Sequence, residues 1–150
     1  RPATVSEGIA VNLNDLLSVE TGFGSKAEVT FQSGTAFEVG SGSACSFRDG
    51  QATLSRGTFV ARIIDKLTTQ MIETPGALLE LIDSRLALKI LPGELTRVGV
   101  FSGQVIVHPI QGKSFALKEG QQFMVSPGGR VLALGNASNN WVDDIENDLL

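Results

Sequence analysis

The sequence has one cysteine, Cys45, one histidine, His108, one tryptophan, Trp141, and no tyrosine. A single cysteine cannot close an intramolecular disulfide. Cysteine usage therefore neither requires nor excludes an oxidising compartment, and packing and hydrogen bonds must hold the fold. One histidine and one cysteine fall short of the several clustered ligands that a metal site needs. No paired histidines occur at cupin-like or zincin-like spacing, which sets aside a jelly-roll metalloenzyme. No run of 18 apolar residues is present, so no transmembrane helix is expected and the chain is not expected to insert directly into a membrane. Basic clusters are missing too. The chain has 12 Lys+Arg against 16 Asp+Glu, and Asp143, Asp144, Glu146 and Asp148 near its end account for the acidic excess. Nucleic acid and anionic lipid surfaces both reward concentrated positive charge, so neither is expected as a partner.

The usual phosphate and nucleophile motifs are also lacking. Neither Gly-x-Gly-x-x-Gly before a helix nor a Walker-type lysine occurs, and Gly22-Phe23-Gly24 lies between two strand patterns. The stretch Gly40-Ser41-Gly42-Ser43 has the wrong spacing for a nucleophile elbow and reads as a turn. A dyad of His108 with Cys45 or with a serine needs only closeness in space, so the sequence leaves it open. Cys45 reads as a small buried hydrophobe within Ala44 to Phe47. His108, between Val107 and Pro109, reads as a solvent-facing residue at the end of a strand. No catalytic, cofactor-binding or metal-ligating residue is assigned, and no cofactor is expected.

What the sequence does have is period-two alternation punctuated by glycine. With 150 residues, 42% of them hydrophobic, the chain suits one globular domain. In Thr96 to Val125, Val98 and Val100, Val105 and Val107, Phe115 and Leu117, then Phe123 and Val125 alternate with polar or small residues. Glycines 103, 112, 120 and 128 follow these short runs, as strands joined by tight turns would have them. Upstream, Ile9 to Leu13, Leu16 to Val19, Ala27 to Phe31, Ala36 to Val39 and Ala44 to Phe47 read the same way. Thr58 to Thr74 reads as two strands turning near Asp65-Lys66, with Met71 to Thr74 extended because Pro75 disfavours helix before it. Ala77 to Leu91 is ambiguous. Leu78, Ile82 and Leu86 share a helical face, but Leu79 and Leu81, then Leu86, Leu88 and Ile90, alternate on either side of Asp83-Ser84, which favours a hairpin.

The expected fold is an all-β single domain of many short, mostly antiparallel strands. Sandwich or jelly-roll-like packing is the first choice and an irregular twisted β-solenoid the second. Residues 1–14 form a lead-in and first strand, 15–134 the all-β domain, and 135–150 a polar linker and short acidic helix. In that last segment Trp141, Val142, Ile145, Leu149 and Leu150 have helix-like spacing, and Asn140 suits the N-cap.

One ordered series of signals resembles the FecR domain family. It runs Thr21-Gly22-x-Gly24-Ser25-x-Ala27-Glu28-Val29-x-Phe31, Ser33-Gly34-Thr35, Ser43, Leu54-x-x-Gly57, Ile72-x-Thr74-Pro75, Val100-x-x-Gly103-x-Val105 and Leu117-x-x-Gly120-Gln121. It covers about Asp15 to Val125. The resemblance implies a non-enzymatic, periplasmic all-β domain. In the best-known members such a domain follows a membrane span and relays a signal from an outer-membrane transporter to a sigma factor. The implied partner is another envelope protein. Where the family usually has Leu-Gly-Thr, this sequence has Ile82-Asp83-Ser84. The sequence shows no helical sigma-binding region, so complete signal transduction is expected to need more than these residues. The chain starts at Arg1, which raises the expectation of a signal peptide or membrane anchor upstream and of an exported location. An envelope structural module or a glycan- or peptidoglycan-binding module is the alternative, although exposed aromatics for a sugar platform are scarce.

Overall fold

The computed structural model of the chain describes residues 16–31, 34–48, 51–63 and 69–136. These residues form eleven strands and no helix: β1 (Leu17–Glu20), β2 (Ala27–Thr30), β3 (Ala36–Val39), β4 (Ala44–Arg48), β5 (Gln51–Ile63), β6 (Gln70–Glu73), β7 (Ala77–Ile90), β8 (Thr96–Pro109), β9 (Phe115–Lys118), β10 (Gln121–Val125) and β11 (Val131–Asn136). All belong to one open sheet whose main path is β1-β4-β5-β6-β7-β8-β10-β11. Strands β2 and β3 join through β5, and β9 joins through β8. Every pairing among the described residues is antiparallel except β5 with β6.

Three long strands decide the architecture. In β5, β7 and β8 the buried positions change parity part-way along: Ala52 and Leu54 give way to Phe59, Ala61 and Ile63; Leu79 and Leu81 to Leu86, Leu88 and Ile90; Val98 and Val100 to Val105 and Val107. Side chains alternate faces along a strand, so a parity change without a reversal of direction requires an irregular residue. Each strand has one at positive φ near the change: Gly57 (φ 103), Asp83 (φ 44) and Gly103 (φ 79). The early half of β5 pairs with β4 and β6, and its late half with β3 and β7. The early half of β7 meets β6 and the late half of β8, which also carries β9. The late half of β7 meets the early half of β8, which also carries β10. The sheet thus folds over itself along the line of bends, as strands do when they pass between layers.

The two layers meet in one core. Phe37 on β3 and Phe47 on β4 approach to 5.1 Å between ring centroids, and Phe115 on β9 meets Phe123 on β10 edge-to-face at 5.7 Å. Phe37, Phe59, Phe123, Leu79, Leu81, Leu86 and Leu88 are fully buried. Each contributes about 1.5–3 kcal/mol relative to exposure.

The all-β expectation holds, with three corrections. Two separate packed sheets are not what forms; a single mixed sheet is bent over. Ala77 to Leu91 is neither a hairpin nor a helix, because the chain runs straight on through Asp83 to pair with β8 along both halves. Gly103 likewise closes no turn and sits inside β8. A Cβ there would lie 2.4 Å from the Asp83 carbonyl oxygen, so the two bends nest against each other. Asp83 keeps a left-handed backbone (φ 44) that glycine favours. The last described strand, β11, ends at Asn136. The expected first strand at Ile9 to Leu13 and the C-terminal helix proper lie outside the described residues.

Candidate functional site

Several of the residues that carry the family resemblance come together around the β1–β2 turn. Thr21, Ser43 and Thr58 are buried polar residues. The Ser43 amide donates to Thr21 Oγ1 at 2.9 Å, and Thr21 Oγ1 donates to the Gly40 carbonyl. Ser43 Oγ accepts from the Thr58 amide at 3.0 Å, and the Gly40 amide donates to the Thr58 carbonyl at 2.8 Å. Gly57 makes this closure possible, since a Cβ on it would fall 2.0 Å from Ser43 Oγ. Buried polar groups cost free energy unless paired, and here the Thr21 and Ser43 hydroxyls and the Thr58 amide and carbonyl find partners. The network fixes the neighbouring turn, where the Gly24 amide donates to Ser41 Oγ at 2.8 Å and the Ser25 amide to the Gly22 carbonyl at 3.1 Å. Phe23 stands at the tip of that braced turn, fully exposed.

The structure does not bring Cys45 to His108. Cys45 is in the core, where burial pushes its thiol up to about 12 and keeps it protonated and inert. His108 lies near the end of β8, half-exposed as expected, with Nδ1 2.6 Å from Ser114 Oγ and Nε2 3.4 Å from Glu80 Oε1. A serine, an imidazole and a carboxylate are therefore in sequence-distant contact. Ser114 is exposed on the β8–β9 turn, and His108 and Glu80 are each open to water. Water screens the ion pair and competes for the hydroxyl, so the trio is a polar tie across β7, β8 and the β8–β9 turn. Among the described residues no group of three or more His, Cys, Asp or Glu could hold a metal ion.

A cleft of about 210 Å³ lies elsewhere, and sequence reasoning missed it. Thr53, Leu54 and Ser55 of β5 form one wall, Glu73, Thr74 and Pro75 after β6 a second, and Glu94 of the β7–β8 turn a third. No local signal marks these residues as neighbours. Their meeting depends on the parallel pairing Thr53↔Glu73, which pattern reading could not foresee. Among the described residues the other large exposed apolar side chains are Leu16, Ile82, Ile110, Leu132 and Leu134, the last two on the terminal strand β11.

No protein-family model matches the chain, and no curated protein matches it. Two crystal structures of a candidate anti-sigma factor from Parabacteroides distasonis ATCC 8503 share its fold. One superposes with a TM-score of 0.71 at 19% identity over 85% of this chain, and the other with 0.70 at 19% identity over 84%. This chain spans 63% and 62% of the length of those two chains. At that identity the likeness establishes the fold and leaves function to be argued separately.

Proposed function

We propose that this chain is a non-enzymatic protein-interaction domain of FecR type. It acts at the cell envelope, on the periplasmic or exported side, within a pathway that regulates a sigma factor. The observation that carries this reading is the fold likeness to candidate anti-sigma factors over 85% of the chain. The convergence of Thr21, Ser43 and Gly57 on one hydrogen-bonded node supports it, because these are residues on which the sequence resemblance rests. The same node steadies the turn that exposes Phe23. A rigid exposed aromatic suits a protein contact, since aromatic anchors dominate interface energetics and lose little entropy when already held.

Parallel co-sedimentation with purified sacculi and chemical cross-linking in envelope extract test this reading. The domain should cross-link to a specific envelope protein, lose that adduct in Phe23→Ala, and stay in the supernatant of sacculi. Binding to sacculi with no protein adduct would establish the glycan-binding alternative instead.

A further inference from the structure

No basic cluster is visible along the chain, yet the fold assembles one on a face of the sheet turned away from the core. In the late half of β5 the core takes Phe59, Ala61 and Ile63; in the late half of β7 it takes Leu86, Leu88 and Ile90; in the early half of β8 it takes Val98 and Val100. The residues between them face the other way. Register then sets Arg62 opposite Arg85, and Lys89 opposite Arg97. Arg62 and Arg85 are exposed, and Lys89 and Arg97 are half-buried. Like charges directly opposite on neighbouring strands are destabilising, so two such pairs on one face favour an anion laid over them.

Between the two pairs runs a row of small residues, Val60, Ala87 and Gly99, in register across β5, β7 and β8. All three are buried although they face away from the core cluster, so this face carries cover of its own. In one direction the row continues to Glu38 on β3 and Glu28 on β2, which would repel an acidic occupant arriving from that side. In the other direction it passes Gln122 on β10 and reaches Gly135 on β11.

Charge and reach indicate what lies there. Residues 137–150 continue from the β11 end of the row, outside the described residues, and carry Asp143, Asp144, Glu146 and Asp148 with no lysine or arginine among them. Neighbouring strands lie about 4.8 Å apart, which puts Arg97 roughly 10 Å and Lys89 roughly 14 Å from β11. Residues 137–142 can span up to about 20 Å when extended, so the acids reach both cation pairs.

We propose that the acidic stretch Asp143 to Asp148 of this chain lies across the basic row and shields it from other anions. The contact is internal to the chain and does not depend on which partner the domain meets. A nitroxide on Asn147→Cys in the isotope-labelled full chain tests it, with buried Cys45 left unmodified. Paramagnetic broadening should concentrate on the amides of Arg62, Ala87, Lys89 and Arg97, and should spare Val19 on β1 and Ala116 on β9 in the other layer. The variant Asp143→Asn/Asp144→Asn/Glu146→Gln/Asp148→Asn alters no described residue of the sheet. It should lose that selective broadening and be retained by heparin resin, which the unaltered chain should pass through. Salt at ~1 M, where the Debye length is about 3 Å, should also abolish the broadening. Unselective broadening, broadening that survives loss of the acids, or heparin behaviour that the acids do not change would each overturn the proposal. Broadening seen only between labelled and unlabelled copies in a mixed sample would overturn it in favour of a second copy on this face.

Discussion

Single residues in this protein are constrained by burial more than by chemistry. Cys45 shows this directly, because its thiol titrates near 9.0 when solvated and is pushed up to about 12 by burial. A raised folded value means that the group's contribution to stability is fully present below about pH 9. It is lost as pH rises toward about 12, at about 1.4 kcal/mol per pH unit. The chain has no tyrosine to obscure that window. Denaturant melts between pH 8 and 11 should therefore show a steep alkaline loss of stability that is reduced in Cys45→Ala, and native Cys45 should resist thiol reagents until the chain unfolds. Gly57 is constrained by close approach. Gly57→Ala should destabilise the fold by more than about 2 kcal/mol in chemical denaturation, because the added methyl overlaps Ser43 and the backbone sits at φ 103. The burial of Cys45 was legible in the apolar pattern of Ala44 to Phe47. The fit of Gly57 against Ser43 was not, since it joins residues 14 apart across two strands that only the fold brings together.

At the scale of elements, the alternation told which residues face the core but not how the strands connect. The switch from Leu79 and Leu81 to Leu86, Leu88 and Ile90 is real, and it was legible. A hairpin and a bulge both reset the parity of a strand, and Asp83-Ser84 has turn chemistry, so local pattern alone could not separate them. Partner β8 decides the matter: it changes parity opposite Asp83 and presents Gly103, which has no side chain to exclude the bend. The β7–β8 turn offers a test at this scale. Replacement of Glu94 by glycine relaxes the backbone at φ 62 and should raise stability by about 1 kcal/mol, which thermal melts would read.

For the whole molecule, one sheet bent along the line of Gly57, Asp83 and Gly103 produces both the core and the cleft. The layers close over Phe37, Phe59 and Phe123, and the divergence of β5 from β6 leaves an acidic crevice at the surface. All-β class and most strand positions were visible in the sequence because period-two burial is local. The mixed topology and the cleft were not, because both depend on a pairing between strands whose contact is set by the rest of the sheet. The fold is shared with candidate anti-sigma factors, and the function proposed above is regulation of that kind through protein contact. Transcript profiling after in-frame removal of residues 16–136 from the native gene tests that claim most directly. The proposed function predicts a coherent change in the genes governed by one alternative sigma factor. An unchanged sigma-dependent transcript set, with the truncated protein still made and exported, would contradict it.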